Sequence, residues 1–211
     1  MIVGIPKGRL EAGVLATLAR AGFALTFPTE RALRSLPVEG IIFQRFKPRE
    51  IPRLLHRGQL QAGFTGLDLL RDGDYEDLLP VVDLGFGAVD IVVAAAEPGL
   101  LEDPPPRPLV IATEYKRLAH AWAFERNIAH VIQETSGSTE GYVPDFADLC
   151  IDCVETGATL RENGLFVLET LFRSTAQLAV WSPVSGFGLS GQGAAFIERI
   201  QTAAQAAAEG K

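Results

Sequence analysis

The sequence predicts an α/β protein made of two lobes, each a sheet covered by helices. Three observations carry this reading. Short apolar runs alternate with stretches whose apolar residues recur every three or four positions, as strands alternating with helices do. A proline-rich segment, EPGLLEDPPPRP at 97–108, interrupts that alternation, because proline can donate neither a ladder nor a helical hydrogen bond. Beyond it the alternation starts again.

Taken in order, IVGI is an apolar run, PKGR a turn, and Leu10, Val14, Leu18 and Ala21 fall at helical spacing. GIIFQRF reads as a strand and REIPRLLHRG as a short helix stopped by Gly58. QAGF runs into TGLDLLRD, a second strand-to-helix turn, and LLPVVDLGFG and DIVVAAAE follow as strands. This order predicts a mainly parallel sheet. After the prolines come the strand LVIAT, the helix EYKRLAHAWAFERN, and the strands IAHVIQ and ADLCIDCV. LFVLETLF and AQLAVW are later strands, and GAAFIERIQTAAQAAAE is a closing helix. The expected division is lobe I at 1–90 with about 177–211, and lobe II at 91–176.

Composition excludes several classes of function. The chain has 211 residues, 47% of them apolar, enough for a substantial core. A net charge of −7 argues against general nucleic-acid binding, which needs a basic face, but leaves room for a local cationic site. No apolar run approaches the roughly 20 residues of a membrane span, and MIVGIPKGRL lacks the pattern of a signal peptide. A cytoplasmic enzyme or binding protein is the expectation.

Two motifs read as decoys. Cys150 and Cys153 form C-x-x-C, yet they lie in a predicted strand, where residues three apart face opposite sides. No second cysteine pair exists, and His56, His120 and His130 have no ligand spacing. GFGLSG at 186–191 matches a dinucleotide fingerprint, but it sits near the C-terminus with no room for the strand that should follow. It reads as a connector.

In open α/β sheets ligands bind beyond the carboxyl ends of strands, and three loops stand there. In VETGATLRENG, a glycine turn into a helix can cradle an anion with backbone N–H groups, and Thr156 and Thr159 add hydroxyls. Asp152 and Glu155 would repel phosphate, so they suit sugar hydroxyls or a magnesium ion. Together these point to a phosphorylated, hydroxylated ligand such as a ribose phosphate, although an ordinary capped helix also uses Thr and Glu. GIPKGRL places Lys7 and Arg9 at a strand-to-helix turn, where they either meet an anion or are merely solvated. ETSGSTEGY offers a third polar loop with Gly137 and Glu140.

These loops, in this order, resemble the ATP phosphoribosyltransferase family in its short form. VETGATLRENGL is similar to that family's phosphoribosyl-diphosphate motif, PKGRL to its N-terminal loop, and REIP, GFTGLDLL, DLGFG, IATEY and SGSTE fall between as expected. The resemblance implies a type II periplasmic-binding-protein-like fold with an active-site cleft between the lobes. It implies transfer of phosphoribosyl from phosphoribosyl diphosphate to N1 of ATP, the first step of histidine biosynthesis, with Mg²⁺ bound to the diphosphate. By the same resemblance Lys7, Arg9 and Arg31 act on the diphosphate and ATP phosphates. Asp152, Glu155, Thr156, Gly157, Ala158 and Thr159 hold the phosphoribosyl group, and Glu140 lines the cleft.

The resemblance also implies partners: a homodimer of the catalytic chain, and a regulatory subunit similar to histidyl-tRNA synthetase in a hetero-octamer. The chain is expected to carry no regulatory domain of its own after the closing helix. The sequence departs from the family pattern at Lys47 and Glu50, at Gln61, and in GYVPDF, which is about one residue short. The alternative function is a non-catalytic small-anion binding protein of the same fold.

Overall fold

β1 (Ile2–Pro6) is buried along nearly its whole length as an interior strand of a five-stranded sheet. Around it stand α1 (Glu11–Arg20), β2 (Ile42–Phe46), α2 (Glu50–His56), β3 (Ala62–Gly66), α3 (Leu67–Gly73) and β4 (Leu78–Asp83). The chain then builds a second sheet from β5 (Val89–Ala95), β6 (Leu109–Thr113), β7 (His130–Glu134), β8 (Leu149–Val154) and β9 (Phe166–Ser174). This sheet carries α4 (Lys116–Glu125), a 3₁₀ turn at Thr139–Tyr142 and α5 (Ala158–Glu162). β10 (Ala176–Trp181) and α6 (Gly191–Glu209) return to the first sheet. This computed structural model describes residues 1–73, 75–181 and 191–209. The chain forms two units, unit 1 of Met1–Gly87 with Thr175–Lys211, and unit 2 of Ala88–Ser174.

The sheet orders are β2-β1-β3-β10-β4 and β7-β6-β8-β5-β9. Each sheet is mixed, which corrects the expectation of mainly parallel strands. β1 pairs in parallel with β2 and β3, whereas β10 runs antiparallel to β3 and β4. β6 pairs in parallel with β7 and β8, whereas β5 runs antiparallel to β8 and β9. The reversed strands β5 and β10 are those that follow each passage of the chain from one unit to the other. Apolar periodicity reports that a strand is buried but not its direction.

In unit 1 the aromatic rings of Phe23, Phe43 and Phe64 surround Phe196 of α6, with centroids 5.3–6.5 Å away. Such tilted contacts favour a fixed ring arrangement and explain why the closing helix belongs here. Arg199 reinforces it, lying 3.9 Å over the Phe23 ring and donating to the Ala21 carbonyl. In unit 2, Val92, Ala94, Ala112 and Cys150 form a core with Leu160, inside α5, and Leu165, just after it. Cys150 is fully buried and its thiol is pushed up to about 12 by burial, while Cys153 is exposed, and neither is in a disulfide.

The proline-rich segment is a loop inside unit 2 and not the junction, which comes earlier, at Gly87 and Ala88. Its end is tied down by Arg107, whose guanidinium donates two 2.7 Å bonds to Asp148 ahead of β8. GFGLSG, apart from Gly191 at the start of α6, lies outside the described residues. Among the described residues no helix is long and apolar enough to cross a membrane.

Candidate active site

β8 ends at Val154, and Glu155, Thr156 and Gly157 carry the chain into α5. Gly157 has φ +71° and ψ 9°, a left-handed conformation that only glycine adopts without strain. A Cβ there would sit 3.1 Å from Nη1 of Arg161. That guanidinium in turn donates to the Thr156 carbonyl at 3.2 Å, bracing the turn from behind. Leu160 is buried one turn later and fixes α5 to the core, while Thr156 and Thr159 stay exposed. The outcome is a concavity of about 320 Å³ lined by Asp152, Glu155, Thr156, Gly157, Ala158 and Thr159 together with Glu140 from the 3₁₀ turn. Of the residues that the sequence nominated here, all but Gly137 thus line one wall.

The wall has two chemical halves. Exposed threonine hydroxyls and the glycine turn supply donors suited to phosphate oxygens. Asp152, Glu155 and Glu140 are acceptors when ionised and suit hydroxyl groups. Burial pushes the Asp152 carboxyl above its ordinary range, and the nearby Glu140 and Glu114 carboxylates push the same way. Hydrogen bonds from the Cys153 N–H, at 2.7 Å, and from Thr139 oppose that shift. Thr139 is fully buried and was legible in the sequence only as one member of a polar loop.

Lys7, Arg9 and Arg31 belong to unit 1, and all three are exposed. Lys7 and Arg9 flank Gly8, at φ +84°, in the turn after β1. The Lys7 N–H extends the ladder to the Phe46 carbonyl at 2.9 Å, and Arg9 Nη1 donates to the Gly87 carbonyl at 2.8 Å. Arg31 lies in a turn whose following residues are bound to β2, Ser35 N–H to the Phe43 carbonyl and Arg45 N–H to the Leu33 carbonyl. Arg45 holds this segment a second time. It donates to the Ala32 carbonyl, stacks 3.8 Å over Phe27 and pairs with Glu11 at 2.6 Å. It is a structural cation that the sequence reading missed, because its partners are remote in the chain.

The departures from the family pattern also have places. Gln61 accepts the Ile2 N–H at 2.8 Å, at the amino ends of β1 and β3, so it closes the ladder far from the strand ends that face ligands. Glu50 pairs with Arg53 at 3.0 Å. Tyr142 packs on the unit 2 core. A larger groove of about 420 Å³ in unit 1 is lined mainly by alanine and glycine, with Arg20 as its only charged side chain. It offers shape without a converging set of polar groups. Among the described residues, no three His, Cys, Asp or Glu side chains are grouped to hold a metal ion.

Comparison with known proteins identifies the family and the fold. A family profile described as ATP phosphoribosyltransferase matches residues 47–201. The ATP phosphoribosyltransferase of Thermus thermophilus is 35% identical over 184 residues, covering 85% of each chain. That of Pelotomaculum thermopropionicum is 30% identical over 182 residues, covering 83% of this chain and 63% of the longer relative. Among solved structures, the ATP phosphoribosyl transferase (HisG:HisZ) complex from Thermotoga maritima contains a chain that superposes with a TM-score of 0.85 at 26% identity, covering 98% of this chain and 99% of that one. At the level of fold alone, a histidine kinase sensor domain with similarity to periplasmic binding proteins gives a TM-score of 0.56 at 13% identity, covering 99% of this chain and 90% of that one. Both sheets therefore have the arrangement of type II periplasmic-binding-protein-like proteins, and the chain belongs to the ATP phosphoribosyltransferase family.

Proposed function

We propose that the β8–α5 concavity binds phosphoribosyl diphosphate and that the chain transfers its phosphoribosyl group to N1 of ATP. The observation that carries this reading is the wall itself, a glycine turn with hydroxyl donors on one side and carboxylate acceptors on the other. Thr156, Gly157, Ala158 and Thr159 receive the 5-phosphate, while Asp152 and Glu155 accept the ribose hydroxyls and Glu140 stands beside them. The adenine N1 lone pair attacks the anomeric carbon, the bond from that carbon to the diphosphate oxygen breaks, and its electrons leave with the diphosphate. No general base is needed, since N1 already carries its lone pair. Negative charge grows on the leaving group, so Lys7, Arg9 and Arg31 act there, where fixed cations lower a barrier most effectively. Mg²⁺ bound with the diphosphate substrate would supply further charge neutralisation there.

The partner reading extends from the Thermotoga complex. We assign to this chain a homodimeric catalytic core and a regulatory subunit similar to histidyl-tRNA synthetase, in a hetero-octamer. The chain alone then turns over weakly and ignores histidine. Incubation with ATP, phosphoribosyl diphosphate, Mg²⁺ and such a subunit should give the ultraviolet change of an N1-substituted adenine, together with diphosphate. Saturable binding of both substrates with no product in the complete mixture would favour a non-catalytic small-anion binding protein instead.

A further inference from the structure

We infer that Arg45 is a positioning residue for Arg31, its guanidinium clamping both limbs of the turn that carries that cation. The inference rests on the assignment of Arg31 to the departing diphosphate, where a cation helps most when it is already in place. Arg45 itself is engaged elsewhere. Its side chain is only 17% exposed, and its Nε faces Glu11 Oε1 at 2.6 Å. It acts through Arg31, which is exposed.

Backbone bonds secure one side of this turn, and a side chain secures the other. The Ala32 N–H bonds the Thr29 carbonyl at 3.0 Å, closing the turn around Glu30 and Arg31. Beyond Ala32 the chain is laced to β2. The Arg45 N–H bonds the Leu33 carbonyl at 2.7 Å, the Ser35 N–H bonds the Phe43 carbonyl at 2.9 Å, and Ser35 Oγ accepts the Phe43 N–H at 3.0 Å. The limb before Arg31 contains Pro28, which has no N–H to offer. Here the Arg45 guanidinium lies 3.8 Å over the Phe27 ring. The same group donates from Nη1 to the Ala32 carbonyl at 3.0 Å. One planar cation thus spans the turn, from Phe27 ahead of Arg31 to Ala32 behind it.

The clamp has a firm base. Arg45 lies in β2 in register with the buried Ile5 of β1, and Glu11 opens α1, whose Val14 and Leu18 are buried in the unit 1 core. The ion pair therefore ties the Arg31 turn to the sheet and to α1 together. Glu11 also meets an electrostatic need. A bare guanidinium bonded to the residue after Arg31 would repel that cation, and the Glu11 carboxylate offsets its charge. The flat face of the Arg45 guanidinium serves Phe27, one nitrogen serves Ala32 and another faces Glu11. A lysine ammonium has neither the face nor the fork, so the residue type follows from the task.

A merely structural arginine would behave differently from a positioning one, and steady-state kinetics of the assembled enzyme, per folded catalytic chain, separate the two. Arg45→Met keeps the length and removes the charge and the donors, while Arg45→Lys keeps the charge without the planar fork. With ATP and Mg²⁺–phosphoribosyl diphosphate as substrates, Arg45→Met should lower kcat about fivefold and move either KM by less than about twofold, as a misplaced transition-state cation implies. Arg45→Lys should recover only part of that rate. In an Arg31→Ala background, Arg45→Met should change kcat by less than about twofold, because its route of action is gone. In an Arg9→Ala background it should keep its full effect. Phe27→Leu removes the ring under the guanidinium, should act in the same direction more weakly, and carries the test if Arg45→Met does not fold. Unchanged kcat in these variants, or a loss that multiplies in full with that of Arg31→Ala, overturns the inference while the assignment of Arg31 stands. Wild-type kcat in Arg31→Ala overturns both.

Discussion

The two units present the same sheet twice and use one position in it for opposite purposes. In each, the second strand (β1 or β6) has parallel neighbours on both sides, and beyond the inner neighbour comes an antiparallel strand reached by passage from the other unit (β10 or β5). The strand between them, β3 or β8, leads through a glycine into a helix. In unit 1 that turn is closed. Thr65 and Asp68 are buried, and a Cβ on Gly66 would lie 2.1 Å from Oδ1 of Asp68. In unit 2 the corresponding turn is open, with Glu155, Thr156 and Thr159 exposed around a concavity. Topology supplies the location, and the loop residues decide whether it stays open as a concavity or is filled as part of the core.

Breaking the open turn should have the largest effect. Gly157→Val forces a β-branched residue into a left-handed conformation and fills the backbone's path to a phosphate. Affinity for phosphoribosyl diphosphate should fall about a hundredfold, equivalent to about 2.8 kcal/mol, with the melting transition kept. Calorimetric titration beside a thermal melt reads both. The closed turn should respond the other way. Gly66→Ala drives a methyl group into the buried Asp68 carboxyl and should lower stability by about 1–3 kcal/mol, as overpacking does. Denaturant midpoints should move, while the affinity of the folded protein for phosphoribosyl diphosphate should not.

A smaller effect is expected at the cationic turn. Arg9→Ala in the assembled enzyme should lower kcat about tenfold and leave KM nearly unchanged, because the charge it opposes develops in the transition state. Arg31→Ala should act in the same sense. A rise in KM alone would place either residue in ground-state binding.

Much of this organisation is legible in the sequence, for identifiable reasons. Buried strands such as IVGI and LVIAT announce themselves by composition, and the turn glycines mark where they stop. The Asp152–Thr159 loop is local, so its residues sit together in the chain as they do in space. What local pattern cannot encode is pairing at a distance. The reversal of β5 and β10, Gln61 closing the ladder at Ile2, and Arg45 gathering Ala32, Phe27 and Glu11 all join residues far apart in sequence.

The smallest expected effect is a pH dependence in the scaffold of unit 2. The Arg107 guanidinium, helped by the Val110 N–H, holds the Asp148 carboxyl below the usual carboxylate range. A carboxyl lowered on folding contributes stability above its unfolded value, near pH 3.9, and loses it as pH falls through the depressed folded value. Arg107→Ala should therefore lower stability slightly near neutrality, the loss vanishing as pH falls below about 4, so that the acid limb of the variant is flatter than that of the wild type. An acid limb identical to that of the wild type would remove Asp148 from this account.

The contrast between the open and closed turns is tested most directly by hydrogen exchange, which reports local protection segment by segment. Saturating Mg²⁺–phosphoribosyl diphosphate should slow exchange in the loop at 152–163 and in the 3₁₀ turn at 139–142. The closed turn at 65–70 should be unaffected. Protection at 65–70 with none at 152–163, or no protection in either, would contradict the assignment of the phosphoribosyl site to unit 2.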